Sequence, residues 1–242
     1  MLIAVTGSKG FIGSHVVERL AQEHEIEEWD LVVGQDCAQF ATHADWVIHL
    51  AAFCNVHDSV EMPDFYWKHN AETTQTIQNW CYYTHTPLIY ASSSCAKEWW
   101  RSPYGATKRA NELTAQKSQV GLRLTNVFGK GMKDNSLVEL IRSNNIKFIT
   151  DVSRDFVFID DVVDLIETIM LHDIRLLDPV YEVGSGVSIP VETLLSSAQE
   201  KQVMHIASED YEMKDNCATI DKTKELGWAP SYSITDYLKD NK

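Results

Sequence analysis

Three regularly spaced glycines near the start of the chain constrain its fold more than any other feature. Gly7, Gly10 and Gly13 follow the apolar segment 2–6 and open a segment whose apolar residues recur every four positions. These apolar residues are Ile12, Val16 and Leu20. The order predicts a buried strand, a glycine turn and an amphipathic helix. Such a turn lets backbone amides approach a pyrophosphate, which predicts a dinucleotide site. The alternative is a tight turn without a ligand.

Further along the chain, strand-like apolar runs alternate with helix-length segments. The apolar runs are residues 46–53, 88–91 and 120–124, and residues 24–29 form the second predicted strand. The helical segments are residues 63–83, 102–119 and a stretch after Asp160. This alternation predicts an α/β fold, a Rossmann-type doubly wound parallel sheet, with a small C-terminal substrate-binding lobe. We assign residues 1–128 and 155–174 to the dinucleotide-binding Rossmann domain, and residues 129–154 and 175–242 to the lobe.

Charge and cysteine content exclude several classes of function. With 35 acidic and 21 basic residues the formal net charge is -14, which disfavours a nucleic-acid partner. The five cysteines show no Cys-x-x-Cys pairing, so we expect neither a disulfide framework nor a metal site. No apolar run approaches the roughly 20 residues that span a bilayer, and the start of the chain lacks a leader pattern. We therefore expect a cytoplasmic protein that does not bind membranes.

An acidic residue follows the second predicted strand. Asp30 stands 17 residues after Gly13, close to the spacing at which an aspartate receives the adenosine ribose of a dinucleotide. No arginine follows Asp30 to accept a 2'-phosphate, so the sequence favours NAD over NADP. The alternative is a solvated acidic loop, because four glutamates lie in the same stretch.

A serine, a tyrosine and a lysine form a second constellation. Tyr104 and Lys108 are four residues apart at the start of a predicted helix, and residues 92–94 are serines that follow a predicted strand. A nearby ammonium stabilises a phenolate and lowers the tyrosine pKa, which would make Tyr104 a usable general base. A surface helix pair and ordinary loop serines are the alternatives. The combination with the glycine turn favours catalysis.

Taken in order, these motifs resemble those of the extended short-chain dehydrogenase/reductases, in particular the NAD-dependent nucleotide-sugar epimerase/dehydratase group. The segments that carry the resemblance are residues 7–13, 49–52, 92–94, 104–108, 122–129, 154–161 and 226–230. The resemblance implies that Tyr104 is the catalytic acid/base, that Lys108 binds the nicotinamide ribose, and that Ser93 is the hydroxyl partner.

The same resemblance implies the remaining site residues. The implied cofactor-binding residues are Gly7, Gly10, Phe11, Ile12, Gly13, Asp30, Asp36, Leu50, Ala51, Ala52, Asn70, Tyr104 and Lys108. The implied substrate-binding residues are Ser93, Asn126 and Arg154, where the last two would contact the sugar or its diphosphate. For Arg154 the alternative is an ion pair with Asp155, Asp160 or Asp161.

Three departures from the family pattern bear on the substrate and the chemistry. Residues 31–44 are too few for the usual crossover, so a helix or a strand has been trimmed there. Ser94 and Cys95 replace the Asp-Glu pair of nucleotide-sugar 4,6-dehydratases, which disfavours dehydration. Residues 209–214 lack the arginine of many UDP-sugar enzymes.

The resemblance predicts an NAD-dependent epimerase, similar to UDP-glucose 4-epimerase, that acts on a nucleotide-activated sugar through a transient keto intermediate. The alternatives are a nucleotide-sugar reductase or dehydrogenase, similar to GDP-fucose synthase or a dTDP-sugar reductase, and an NAD(P)-binding sensor without catalysis. The resemblance also implies a homodimer formed by the helices near residues 63–83 and 102–119.

Overall fold

The computed structural model describes residues 1–31, 34–195 and 203–240. Its centre is a six-stranded sheet in which every neighbouring pair of strands is parallel. The strands are β1 (Leu2–Thr6), β2 (Glu25–Trp29), β3 (Trp46–His49), β4 (Leu88–Ser93), β5 (Gln119–Leu124) and β10 (Val180–Val183). Their order across the sheet is β2-β1-β3-β4-β5-β10, which places a topological switch point between β1 and β3.

Helices cover both faces of this sheet. They are α1 (Phe11–Leu20), α2 (Val56–Glu61), α3 (Pro63–Tyr66), α4 (Thr73–Thr84), α5 (Pro103–Thr114), α6 (Leu137–Arg142), α7 (Ile159–Met170), α8 (Asp221–Lys224) and α9 (Ile234–Asp240). Alternate residues of β1 face opposite layers: Ile3 and Val5 pack with α1 and α7, whereas Ala4 packs in the cluster that contains α4. Burial on both faces explains the continuous apolar run of β1. The predicted doubly wound α/β fold is confirmed.

The connection from β2 to β3 is as short as the sequence predicts. Its described residues, 30–31 and 34–45, include a 3-10 turn (Cys37–Gln39) and contain neither an α-helix nor a strand. A doubly wound sheet with strand order 3-2-1-4-5-6 has a further strand outside the second one. In the described part of this chain the sheet ends at β2, so the trimmed element is that outer strand with its helix.

A second, smaller core lies beside the sheet. Short strands pair around it: β6 (Asn126–Phe128) with β9 (Phe156–Phe158), β7 (Phe148–Thr150) with β12 (Met204–Ile206), and β8 (Ser153–Arg154) with β11 (Ile189–Pro190). Its buried residues include Phe128, Ile149, Val191 and Ile234. One part of the predicted division is wrong, because β10 was assigned to the lobe but pairs with β5 at the edge of the main sheet. The rest of the division stays a prediction.

Two predicted elements are shorter than expected. The run 46–53 is a strand only to His49, and residues 50–53 leave the sheet beside the glycine turn. The single helix expected over 63–83 is divided into α3, a π-helical turn (Trp67–Glu72) and α4. A π turn accommodates an extra residue and is frequent near functional sites.

Candidate active site

The glycine turn packs so closely on its neighbours that side chains would not fit. Gly7 has φ +68°, and a Cβ on it would lie 2.7 Å from the backbone nitrogen of Ala51. A Cβ on Gly13 would lie 2.0 Å from the carbonyl oxygen of Gly7, so α1 approaches the turn only because this residue is glycine. At the start of α1, Gly10 offers no capping side chain. The first amides of the helix can therefore bind an anion such as a pyrophosphate.

A cleft of about 220 Å³ lies beside this turn at the switch point of the sheet. Its lining includes Gly7, Gly10, Asp30, Asp36, Leu50, Ala51 and Ala52. Asp30 accepts a hydrogen bond through Oδ2 from the backbone nitrogen of Lys9 at 3.1 Å, which holds its carboxylate at the turn. Within the described part of the chain neither arginine nor lysine lines this cleft. The cleft therefore suits an unphosphorylated adenosine ribose, as NAD has.

The wall of the cleft is fixed by a buried hydrogen-bond chain. Thr6 Oγ1 lies 2.6 Å from His49 Nδ1 and accepts hydrogen bonds from the backbone nitrogens of Leu50 and Ala51. His49 Nε2 lies 2.9 Å from Thr74 Oγ1. Burial, assisted by the charge of Lys108, lowers the pKa of His49 to about 3, so the ring is neutral at physiological pH. Its function in this structure is to hold the wall.

Asn70 supports the same wall from behind. Its Oδ1 accepts a hydrogen bond from the backbone nitrogen of Phe53 at 2.9 Å, and its Nδ2 donates to the carbonyl oxygen of Phe53 at 2.8 Å. The side chain is fully buried within the π turn. Both ends of the amide are thus used to fix the 50–53 segment.

A larger cleft of about 560 Å³ continues from the smaller one, and both are lined by Leu50 and Ala52. It brings together the predicted residues Ile12, Ser93, Tyr104, Lys108, Asn126 and Arg154. These residues come from the ends of the first, fourth and fifth strands, from α5 and from the lobe. Parallel strands present their active-site groups at this carboxyl edge.

Tyr104 lies at the buried end of the larger cleft. Its helix starts at Pro103, where Ser102 Oγ accepts a hydrogen bond from the backbone nitrogen of Gly105 at 3.1 Å. Ser93 and Cys54 line the same cleft and lie near enough to the Tyr104 hydroxyl to shift its pKa. Lys108 Nζ lies 5.8 Å from the Tyr104 ring centroid and donates to the carbonyl oxygen of Ala91 at 2.9 Å.

The acid-base state of this group differs from the expectation. Burial raises the pKa of Tyr104 well above its ordinary value, the thiols of Cys54 and Cys95 raise it further, and the hydrogen bond with Ser93 lowers it. Burial also lowers the pKa of Lys108. The predicted lowering of the tyrosine pKa is therefore wrong for this structure, because burial is the largest influence on Tyr104 and raises its pKa.

Arg154 and Asn126 lie on the lobe side of the larger cleft. Arg154 Nη1 donates to the carbonyl oxygens of Ser153 at 2.9 Å and Met213 at 2.8 Å, and burial lowers the pKa of its guanidinium. Asn126 Oδ1 accepts a hydrogen bond from Asn216 Nδ2 at 2.8 Å. Both predicted substrate residues thus project from a lobe surface that is already held in place by hydrogen bonds.

The acidic partner of Arg154 is not one of the three aspartates considered from the sequence. Its salt bridge goes to Glu212, whose Oε1 lies 3.9 Å from Arg154 Nη2. Asp155 is used elsewhere, since its carboxylate accepts hydrogen bonds from Ser185, Gly186 and Ala218. Asp161 accepts from Ser231 in the same way.

Among the cleft residues that the sequence reasoning missed are Cys54, His57, Tyr211, Glu212 and Asn216. His57 Nδ1 lies 3.0 Å from the Tyr211 hydroxyl and links the Rossmann domain to the lobe segment 208–217. The two residues are 154 positions apart, so no local pattern joins them. The one available signal was the arginine-free stretch 209–214.

Three predicted cofactor residues do not line either cleft in the described structure: Phe11, Gly13 and Asn70. The Phe11 ring packs edge-on against His15 with centroids 5.5 Å apart. Gly13 and Asn70 support the turn and the wall described above. Direct cofactor contacts by these three residues stay predictions.

Among the described residues there is no cluster of three or more His, Cys, Asp or Glu side chains that could hold a metal ion. In the same part of the chain, no helix has the length and apolar character needed to cross a bilayer.

Comparison with known proteins gives the family. Residues 3–184 match the model of the NAD dependent epimerase/dehydratase family. An ADP-L-glycero-D-manno-heptose-6-epimerase of Fusobacterium nucleatum is 23% identical, with 99% of this chain and 96% of the relative covered. That comparison spans 323 positions, so the relative carries segments that this chain lacks.

Two further proteins are similar. A UDP-2-acetamido-2,6-beta-L-arabino-hexul-4-ose reductase of Pseudomonas aeruginosa is 29% identical over 77% of this chain and 55% of the relative. The structure of MoeE5 in complex with UDP-glucose and NAD has a TM-score of 0.85 at 20% identity, covering 100% of this chain and 97% of that one. The chain belongs to the NAD-dependent epimerase/dehydratase family, whose cofactor is NAD.

Proposed function

We propose that this protein is an epimerase that acts on a nucleotide-activated sugar, in the manner of a UDP-glucose 4-epimerase, through a transient keto intermediate. The observation that carries the proposal is the shared cleft, which Tyr104 and Ser93 line together with Asn126 and Arg154. The cleft continues into the glycine turn through Leu50 and Ala52. One cavity therefore offers an acid-base group next to a dinucleotide site.

The residues that would hold NAD divide along the two clefts. Gly7 and Gly10 expose backbone at the turn, and Asp30 and Asp36 line the smaller cleft, where the adenosine half would bind. Lys108 lies at the other end, close to Tyr104. When bound there, NAD supplies hydride acceptance and return and a positively charged ring that opposes the raised tyrosine pKa.

Proton transfer is the task of Tyr104 and Ser93. Tyr104 Oη would take a proton from the sugar hydroxyl that becomes the ketone and return it after the sugar has turned over. Ser93 lines the same cleft and influences the pKa of Tyr104, so it would share the proton during transfer. Because the Tyr104 side chain is only 7% exposed, bulk water has little access to the group. Positioned acid-base groups of this kind contribute about 10²- to 10⁴-fold in rate.

A reductase or dehydrogenase on the same scaffold is the second candidate. The similarity to the Pseudomonas aeruginosa reductase supports it, because that relative matches 77% of this chain. The two reactions differ in their redox balance. An epimerase regenerates NAD in every turnover, whereas a dehydrogenase accumulates NADH and a reductase consumes it. A sensor without catalysis would do neither.

The test is Tyr104→Phe in the NAD-loaded protein, with a panel of UDP-, GDP-, dTDP-, CDP- and ADP-sugars. We expect turnover of the preferred sugar to fall about 10²- to 10⁴-fold while NAD binding is retained. Tyr90→Phe is the matched control, because the buried Tyr90 hydroxyl has no hydrogen-bond partner among the described residues. Its ring packs on the face of the sheet that α4 covers. Unchanged turnover in Tyr104→Phe would rule out the catalytic role.

We further propose a homodimer formed by α3, α4 and α5. Apolar side chains on these helices remain accessible in the single chain, among them Phe65 and Leu113, which is 69% exposed. Exposed apolar groups on adjacent helices support an interface between copies. Native mass spectrometry that finds only monomer at micromolar concentration would rule it out.

We also propose that the enzyme acts in the cytoplasm. Cys37, Cys54, Cys81, Cys95 and Cys217 are all free thiols, as expected in a reducing compartment. Cell fractionation that recovers the protein outside the cytoplasmic fraction would exclude this location.

A further inference from the structure

Glu212 carries a buried acceptor that its surroundings leave unused. Its Oε1 lies 3.9 Å from Arg154 Nη2, a distance too long for a hydrogen bond. Its Oε2 is inaccessible to solvent and has no hydrogen-bond partner among the described residues. Leaving a buried carboxylate oxygen unpaired is unfavourable. Because the Glu212 side chain is 26% exposed and no described residue donates a hydrogen bond to it, the carboxylate can turn toward a donor in the cleft.

Glu212 belongs to the same cleft as the proposed acid-base residues. Glu212 lines the larger cleft together with Tyr104 and Ser93. Its neighbour Arg154 is near enough to Cys95 to lower the pKa of that thiol, although burial raises it more. Cys95 in turn hydrogen-bonds to Ser93. Glu212 therefore lines the cleft in which the reacting sugar would be held.

The segment that carries Glu212 is anchored without this side chain. The Tyr211 hydroxyl lies 3.0 Å from His57 Nδ1, and Arg101 Nη1 donates to the carbonyl oxygen of Asp210 at 3.1 Å. Lys214 Nζ lies 3.2 Å from Asp151. Since the residues on either side are held by these contacts, the Glu212 carboxylate is not needed to fix the backbone.

Positioning Arg154 is a rival role, but the geometry favours it less. Arg154 is already held by two backbone carbonyl oxygens through Nη1. A carboxylate next to a bound diphosphate would repel it, unless the carboxylate points to a different part of the ligand. Arg154 would then bind the anionic diphosphate, and Glu212 would accept a hydrogen bond from another part of the ligand.

We infer that Glu212 is a specificity-determining residue that accepts a hydrogen bond from a hydroxyl or amino group of the sugar. The inference rests on the proposed function and adds to it a recognition residue on the lobe. Sugars present many donors, and a charged acceptor makes a stronger hydrogen bond than a neutral one. The segment that lacks the arginine of many UDP-sugar enzymes thus gains an acidic contact to the sugar.

The test separates the sugar from the nucleotide. Isothermal titration calorimetry on NAD-loaded protein would compare UDP, GDP, dTDP, CDP and ADP with the glucose conjugate of each. In Glu212→Gln we expect binding of the preferred conjugate to weaken about 10-fold, because a charged acceptor is lost. Binding of the matching nucleoside diphosphate should stay the same or tighten, because a negative charge beside Arg154 is removed.

Two further variants control for charge and folding. Glu209→Gln makes the same charge change on an exposed residue of the same segment and should leave both affinities unchanged. Glu212→Asp keeps the charge beside Arg154 but withdraws the carboxylate, so it should weaken the conjugate and leave the nucleoside diphosphate unaffected. Thermal melting of each variant would verify that it is folded.

Each other outcome has a distinct meaning. Equal weakening of conjugate and nucleoside diphosphate by Glu212→Gln would make Glu212 a positioning residue for Arg154 and overturn the inference. Unchanged affinities for both ligands would also overturn it. If the wild-type protein bound none of the five conjugates, the proposed function itself would fail, and the inference would fail with it.

Discussion

Two arginine-glutamate pairs in this protein use the same side chains in opposite ways. In the first, Arg123 meets Glu112 through two hydrogen bonds of 2.7 Å, and the Glu112 side chain is 1% exposed. In the second, Arg154 and Glu212 approach only to 3.9 Å, and one carboxylate oxygen has no partner among the described residues. The first pair is saturated and the second is not.

The neighbours of each pair explain the difference. Glu112 also accepts hydrogen bonds from Ser92 at 2.7 Å and Arg109 at 3.0 Å, and Arg123 reaches Glu182 on the next strand. This network ties β4, β5, β10 and α5 together directly behind Ser93. The open pair faces the cleft instead. A saturated buried pair supports the fold, whereas an open pair next to a cavity is available to a ligand.

Breaking the saturated pair should have the largest effect on stability. Glu112→Gln leaves two arginines without their buried partner, and we expect the free energy of unfolding to fall by about 3–5 kcal/mol. Urea denaturation followed by circular dichroism measures the change. A loss below about 1 kcal/mol would mean that the network contributes little more than a surface pair.

Lowering the pH should remove the stabilisation that the Glu112 carboxylate provides. Burial would raise the pKa of Glu112, but the hydrogen bonds from Arg123 and Ser92 outweigh it and lower the pKa below its usual 4.5. Its stabilisation is thus complete above pH 4.5 and is lost as the pH falls through the folded-state value. The stability difference between wild type and Glu112→Gln should therefore shrink below pH 4.5. A difference that grows on acidification would contradict this linkage.

Replacing Arg123, the arginine of the saturated pair, should lower the free energy of unfolding less than replacing Glu112. Arg123→Lys keeps the charge but cannot make both hydrogen bonds, and we expect a loss of about 1–2 kcal/mol in the same urea assay. Arg142→Lys provides the matched control, because Arg142 pairs with Glu139 on the surface. The control should change stability by less than about 0.5 kcal/mol. Equal losses in both variants would remove the distinction between them.

Breaking the open pair of Arg154 and Glu212 should change the free energy of unfolding least. Glu212→Gln removes no close hydrogen bond to Arg154, so we expect the free energy of unfolding to stay within about 0.5 kcal/mol of wild type. A loss comparable to that of Glu112→Gln would show that the pair is structural, and the contrast between the two regions would disappear.

The sequence predicted the parts of the molecule that are encoded locally. The strand, glycine turn and helix at residues 2–20 are set by adjacent residues. Ser93 at the end of β4 and Tyr104 at the start of α5 line one cleft, in agreement with the order of their motifs. The preceding serine, Ser92, donates a hydrogen bond to Glu112. The lobe was harder, because its short strands lack periodicity and its contacts join distant segments.

Three errors have the same origin. β10 lies at the edge of the main sheet because β5 provides a free neighbour, which no feature of residues 180–183 reveals. The π turn carries Asn70, which accepts a hydrogen bond from the backbone nitrogen of Phe53, a contact across 17 positions that no local pattern predicts. The pKa of Tyr104 depends on burial, which depends on the whole fold. Glu212 was missed because its significance lies in an absent partner.

Because the sheet ends at β2, its exposed edge affects how copies of this protein can associate in solution. In the described structure β2 has a single neighbour, so the polar groups along its outer side could recruit a strand from another copy. Its sequence, EIEEW, places Glu25, Glu27 and Glu28 on that rim. Glu28 is paired with Lys9, but Glu25 is exposed, and a second copy paired along β2 would bring like charges together. Charge at this exposed edge therefore disfavours edge-to-edge aggregation.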